Sequence, residues 1–312
     1  MDRDYHRVLL VFVDGVGLAA AGAANPFATA PSPHLDGLLG GGLTREREQI
    51  RNGLVLRGID ATLGVSGLPQ SATGQTALFT GENGAALLGR HATGLPGRRL
   101  REVVARSSVF RRVAESGRAA TFANAYTDTY LDALARGEAR ASVTTCAVAA
   151  AGLCWRTLED LETGRALTWD LERDLYGRPL TGRAIGPAPK VAAIDSRSAG
   201  RQLARLAGAH HLTVYETFLP DLAGHGRIDL PPDEVVRRLD DLVAGVLEAR
   251  PADATLVLTS DHGNFEDTSV KTHTLAPVPL LAAGPAASRF ADVESILGVA
   301  PRILEVLGVA SS

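Results

Sequence analysis

Four short runs of apolar, largely β-branched residues punctuate the chain: Val8–Val13, His211–Phe218, Thr255–Thr259 and Val278–Ala282. Within each, neighbouring positions are apolar rather than alternate ones. That is the pattern of strands covered on both faces, as in the centre of a mostly parallel sheet. Helical repeats lie between and after them, at Ser198–Ala207, Pro232–Ala249 and Val299–Leu307. The second opens with Pro and acidic residues, as helix starts prefer. Strands alternating with helices predict an α/β fold with a doubly wound, mostly parallel sheet. Ligands of such sheets bind beyond the carboxyl ends of the strands. Asp14, Asp221 and Asp261 all fall at or shortly after such ends.

The middle of the chain reads differently. From 87 to 194 an Arg-rich helical pattern (Arg98–Val113) is followed by "RAATFANAY" and a long Ala/Val-rich segment. The stretches "GRHATGLPGRR" and "LTGRAIGPAPK" bracket it. This predicts a small inserted cap at 87–194, with 1–86 and 195–312 forming the core.

Composition narrows the classes of function. With 45% hydrophobic and 21% charged residues, the 312-residue chain is ordinary for a soluble globular protein. A formal net charge of −3 with interspersed signs argues against a nucleic-acid partner. The Arg98–Arg112 run carries Leu100, Val103, Val104, Phe110 and Val113, so it reads as an amphipathic helix with a solvated basic side. Only two lysines occur, Lys190 and Lys271. Cys146 and Cys154 form neither a disulfide framework nor a CxxC site, and read as reduced thiols. The opening "MDRDYHRVLLVFVDG" is too short and too charged for a signal peptide, and no run reaches the roughly 20 apolar residues of a membrane span. The expectation is a cytoplasmic protein that does not engage a membrane; oligomeric state is not legible.

Four motifs carry chemistry. In "VLLVFVDGVGLAAAG", Gly15 and Gly17 follow a strand, but Pro26, Pro31 and Pro33 interrupt the helix a dinucleotide site needs. Asp14 there is either a metal ligand on an open loop or a structural Asp capping the next turn. In "GLPQSATGQTALFTG", Ser71 opens a helical run. Such a Ser is usually a cap, yet the same placement suits a nucleophile, because terminal amides favour an incoming phosphate. In "TFLPDLAGHGR", Asp221 and His225 lie four apart and can share a cation. In "LVLTSDHGNFEDTSVKTHT", Asp261, His262 and His273 add three ligand-type side chains. Carboxylates that balance charge, imidazoles that ligate directionally and a hydroxyl nucleophile together make the set a two-metal site needs.

"FVDGVG", "QSATGQ", "PDLAGHG", "TSDHGN" and "THTLAPVPLL", in this order, resemble the metal and nucleophile motifs of the alkaline phosphatase superfamily. Within it, the cofactor-independent phosphoglycerate mutases and phosphopentomutases are most similar. The resemblance covers the chain to about Gly81 and from about Ser198. It implies an alkaline-phosphatase-like core holding two divalent ions, manganese or zinc. Asp14, Ser71, Asp261 and His262 would serve one ion, and Asp221, His225 and His273 the other. Ser71 would be the residue that becomes phosphorylated, passing the group to water or back to the substrate.

The chain also departs from the mutases. Its middle segment is shorter, their Arg-rich substrate motifs are absent, and Gln75 stands where they have a histidine. Hydrolysis of a small phosphomonoester is therefore the first expectation. An intramolecular phosphomutase acting on a phosphoglycerate or phosphosugar comes second; a phosphodiesterase and a non-catalytic metal-binding protein follow. Sulfate esters are disfavoured, since Ser71-Ala72-Thr73 lacks the expected Pro and Arg. Asn83, Arg90 and His91 are candidate substrate-phosphate residues, against the alternative of a solvated loop. Arg140, Ser142 and Thr144 are weaker candidates, and His210-His211 reads as structural.

Overall fold

The computed structural model describes residues 6–176 and 191–310. The bracketing stretch "LTGRAIGPAPK" and Lys190 lie outside the described residues.

Among the described residues, seven strands form one sheet: β1 (Arg7–Val13), β2 (Gln49–Arg51), β3 (Leu54–Ile59), β4 (Ala120–Phe122), β5 (Leu212–Thr217), β6 (Ala254–Thr259) and β7 (Val278–Ala283), in the order β2-β3-β7-β6-β1-β5-β4. β1 lies centrally and pairs in parallel with both β5 and β6, with Val13 opposite Thr217 and Phe12 opposite Thr259. All four apolar runs become strands, with ends shifted by one or two residues. One orientation differs from expectation: β7 runs antiparallel to both β6 and β3. Being apolar on both faces shows that a strand is covered, not which way it runs.

Period-two alternation along β1 divides the core between the two faces. Leu9, Val11 and Val13 pack with Tyr215, Leu256 and Leu258 under the helices Ser196–Ala209 and Pro232–Ala249. Val8, Leu10 and Phe12 pack on the opposite face with Phe79, Phe110 and Ile303. There Phe12 meets Phe79 edge-on at 5.5 Å, and Phe79 stacks on Phe110 at 6.3 Å.

The 87–194 stretch contributes directly to this face. β4 pairs in parallel with β5, and Val104, Phe110, Val113, Phe122 and Val143 share the core cluster of Phe12. The single helix expected over Arg98–Val113 is two, Arg98–Ser107 and Val109–Glu115. Ser108 divides them: its backbone is extended and its side chain accepts from the Arg111 amide, capping the second helix. Cys146 and Cys154 are both free thiols. No helix among the described residues is long and apolar enough to cross a membrane.

Candidate metal centre

The carboxyl ends of β1, β5 and β6 converge, and each delivers an aspartate. Asp14 follows β1 directly, its amide donating to Thr217 across the sheet. Asp261 and His262 follow β6, and both are fully buried. After β5, Asp221 sits in the short helix Leu219–Gly224 with His225 at its C-terminal cap. Ser71 is the first residue of the helix Ser71–Thr80, whose N-cap is Gln70. Ser71 is thus not the cap that its position suggested; its Oγ lies 3.0 Å from His262 Nε2. The helix comes this close because residue 74 is glycine, where a Cβ would sit 2.7 Å from the Asp261 carbonyl oxygen.

Two groups of ligand atoms result. In the inner group, His262 Nε2 lies 3.3 Å from Asp14 Oδ1, 3.6 Å from Asp261 Oδ2 and 3.0 Å from Ser71 Oγ. In the outer group, His225 Nε2, His273 Nε2 and Asp221 Oδ1 stand 3.1, 3.3 and 3.6 Å apart. Oxygen and nitrogen ligands about 2.1 Å from one divalent ion lie roughly 3.0 to 3.5 Å from each other, depending on the coordination angle. His262 also lies against the outer group, its ring stacked on His273 at 3.7 Å.

The electrostatics test whether these residues suit a cation. Asp14 Oδ1 and both Asp261 oxygens are buried and make no hydrogen bond. Burial, and next the charge of Asp221, push the Asp261 carboxyl up to about 8. Burial and then Asp261, Asp221 and Glu216 push Asp14 well above its ordinary range. Such carboxylates are costly to ionise without a counter-charge, and a bound cation supplies one. Burial, reinforced by His273, pushes His262 down to about 3, so its imidazole is neutral and able to ligate. Asp221 behaves oppositely: burial would raise it, but hydrogen bonding to His225 and the nearness of His262 outweigh that and hold it at about 2. The donor set therefore fits divalent ions.

Outer contacts orient the ligands. His225 Nδ1 lies 2.9 Å from the Lys271 carbonyl oxygen, and His273 Nδ1 lies 2.7 Å from that of Pro69. Carbonyls only accept, so each Nδ1 carries the proton and each Nε2 lone pair faces the cluster. Gln75 donates to Asp14 Oδ2 at 3.2 Å, and Asn264 donates to Asp221 Oδ1 at 2.9 Å. The Gly17 and Asn264 amides both donate to Glu266 Oε2 at 2.8 Å, and Thr274 donates to Glu266 Oε1. A Cβ at Gly17 would lie 2.3 Å from the Glu266 carboxyl carbon, so this glycine serves loop packing rather than a dinucleotide.

The remaining candidates lie apart from these contacts. Asn83 caps the helix Gly84–Leu88 through the Ala86 amide and donates to the Leu63 carbonyl, so its side chain is occupied structurally. His91 Nε2 bonds the Val65 carbonyl at 3.1 Å, and the exposed Arg90 donates to the His91 carbonyl. Arg140 is exposed, with its carbonyl accepting from the Tyr130 hydroxyl, and Ser142 caps the helix Val143–Ala150. His211 Nδ1 accepts from the Ala119 amide, and His210 bonds Leu206, both structural roles. Sequence reasoning missed Glu266 and Glu216. Glu216 is buried beside Asp14, accepts from Thr144 at 2.7 Å, and is pushed up to about 7 by burial despite that bond. A Glu inside the apolar run of β5 was the available signal.

Comparison with known proteins follows the same lines. Residues 192–311 match the model of the Metalloenzyme superfamily. The chain is 29% identical over 143 residues to a 2,3-bisphosphoglycerate-independent phosphoglycerate mutase from Vibrio parahaemolyticus. That match covers 41% of this chain and 28% of the mutase, less than a third of its length. Among solved structures, the PH0037 protein from Pyrococcus horikoshii superposes with a TM-score of 0.58 at 14% identity, covering 99% of this chain and 98% of that one. The alkaline phosphatase of the Antarctic bacterium TAB5 superposes at 0.54 and 12% identity, covering 99% and 100%. At these identities the superpositions show the fold, which is alkaline-phosphatase-like. Residues 192–311 are thus similar to the Metalloenzyme superfamily, and the fold is similar to that of an alkaline phosphatase. The sequence similarity is to part of 2,3-bisphosphoglycerate-independent phosphoglycerate mutases.

Proposed function

We propose that this chain is a two-metal phosphoryl-transfer enzyme that forms a phosphoserine on Ser71 and hydrolyses a small phosphomonoester. The observation that carries this reading is the position of Ser71 Oγ, 3.0 Å from His262 Nε2, beside buried carboxylate oxygens of Asp14 and Asp261 that have no hydrogen-bond partner. Asp14, Asp261, His262 and Ser71 would hold one ion, and Asp221, His225 and His273 the other. When bound, two divalent ions supply charge neutralisation of the transferring group and activation of the hydroxyl. Manganese and zinc both suit these ligands.

The chain's own residues do the rest. Ser71 Oγ attacks phosphorus as the ester oxygen departs, so one P–O bond forms as another breaks. The first amides of the Ser71–Thr80 helix have no intrahelical acceptor and face the incoming phosphoryl oxygens. Gln75 keeps Asp14 oriented. Water then attacks the phosphoserine and releases inorganic phosphate. In this reading residues 1–86 and 195–312 form the catalytic core, and 87–194 is an insertion that completes the sheet edge.

A phosphomutase is the second reading, favoured by the mutase relatives. A ³¹P NMR time course on metal-reconstituted protein with phosphoglycerate and sugar phosphates separates the two. Growth of inorganic phosphate is the expected result. Conversion of a substrate into its isomer without free phosphate would replace hydrolysis by mutation. No phosphorus transfer with manganese or zinc would overturn both.

A further inference from the structure

Ser71 is delivered by a loop with little backbone support. The chain leaves β3 at Ile59 and reaches the helix Ser71–Thr80 without regular structure. Among the described residues, no backbone-to-backbone hydrogen bond involves residues 66–69. Leu63 takes φ +56°, a left-handed conformation that a branched side chain adopts only at a cost. Gly64 and Gly67 follow at +66° and +102°. Such strain persists where the surroundings over-determine it.

Side chains supply that determination. Both backbone groups of Leu63 are held: its amide donates to Asp60 Oδ2 at 3.1 Å, and its carbonyl accepts from Asn83 Nδ2 at 2.8 Å. The Val65 carbonyl faces His91 Nε2 at 3.1 Å, and the Pro69 carbonyl faces His273 Nδ1 at 2.7 Å. A carbonyl only accepts, so His91 Nε2 carries the proton. The other ring nitrogen, Nδ1, is buried with no partner among the described residues. The ring lies against the loop, since a Cβ at Gly67 would stand 3.9 Å from His91 Cδ2. The next residue grips the far side of Ser71. The Ala92 amide donates to Thr73 Oγ1 at 3.3 Å, and that hydroxyl donates to the Gln70 carbonyl at 3.0 Å. His91 and Ala92 thus hold the chain both before and after Ser71.

Resting on the phosphoryl-transfer reading above, we propose that His91 and Asn83 are positioning residues for the nucleophile. Each donates to a loop carbonyl, and together they set where Ser71 Oγ stands relative to His262. Displacing a reacting atom by about 1 Å costs on the order of a hundredfold in rate.

The variants separate this role from simple support. N83D keeps the oxygen that caps the helix Gly84–Leu88 and loses the donor to Leu63. H91L loses the donor to Val65, and H91Q restores an N–H at similar reach. With p-nitrophenyl phosphate and the manganese-loaded full chain, N83D and H91L should each lower kcat by about a hundredfold. Inhibition by inorganic phosphate should stay unchanged, and H91Q should recover most of the rate. A second readout needs no turnover. Ser71→Cys loaded with cobalt should show a thiolate-to-cobalt absorption band, because a thiolate is a metal ligand. The wild type loaded the same way is the blank. Adding N83D or H91L should weaken the band at unchanged cobalt content, and H91Q should keep it. No band in Ser71→Cys itself, or a full band after adding N83D or H91L, overturns the proposal. So does an H91Q rate no better than that of H91L. A merely supporting role would lower cobalt content and the urea midpoint together, leaving the band per cobalt unmoved. Failure of the phosphoryl-transfer reading shows separately: the wild type would release no phosphate, while the cobalt band would still depend on His91 and Asn83.

Discussion

The inner and outer halves of the candidate metal centre both draw on aspartate and histidine but are held in opposite ways. In the inner half, Asp261 and His262 are fully buried, and the Asp261 oxygens and His262 Nδ1 meet no protein partner. In the outer half, backbone carbonyls of Lys271 and Pro69 fix the two histidines, and Asn264 satisfies Asp221. The inner half is therefore incomplete as protein alone. The outer half is pre-arranged, with His225 partly exposed. On the two-metal reading proposed above, a cation at the inner site would act as a folding partner, while one at the outer site would exchange with solvent more freely.

The sharpest test of that division is Ser71→Ala. It should lower turnover by at least about a thousandfold while both ions still bind at saturating metal, read by elemental analysis, the inner one more weakly for the loss of one ligand. Retention of a tenth of the activity would remove Ser71 from the chemistry.

Asp261→Asn comes next. The Asp261 carboxyl sits at about 8 in the metal-free fold against an ordinary 3.8. Between those values the folded state keeps a proton the unfolded chain has lost, so stability of metal-free protein falls as pH rises through that window. The variant should flatten this slope in urea denaturation at pH 5 and pH 8 and should also lose the inner ion. Saturating metal should flatten the slope in the wild type. An unchanged slope in the variant would break the account of the inner half.

His225→Ala should weaken one ion by more than the roughly 10–100-fold that loss of an outer contact produces. The other ion should remain, and competition titration with a chelator distinguishes the two. Gln75→Ala and Asn264→Ala should each weaken metal binding by about 10–100-fold, the first at the inner site and the second at the outer. Equal weakening of both ions by either variant would mean that the halves act as one unit. The smallest effect belongs to Gly17→Ala, which crowds Glu266, the residue tying the loops together. It should destabilise the chain by about 1–3 kcal/mol, measured as a shift in the urea midpoint.

Much of this architecture was legible in the chain. The apolar runs became β1, β5, β6 and β7, and Pro232–Ala249 forms a helix with the expected bounds. Asp14, Ser71, Asp221, His225, Asp261, His262 and His273 are all brought together. Asn83 was not legible as a cap, because its partners, the Ala86 amide and the Leu63 carbonyl, are set by how a loop folds back. Glu266 was overlooked because its contacts reach across the chain to Gly17. The broken helix at Ser108 was missed because the apolar stripe continues across the break.

The sequence by itself determined which residue types stand at the strand ends, since side-chain periodicity and loop glycines are local properties. Only the tertiary structure decided that β7 runs antiparallel, that β4 extends the sheet, and that Ser71 meets His262 across 191 positions of chain. Those outcomes depend on which surfaces bury each other and which carbonyls end up beside which imidazoles. Burial and hydrogen-bond partnership belong to the packed molecule, and they separate a carboxylate that awaits a cation from one already satisfied.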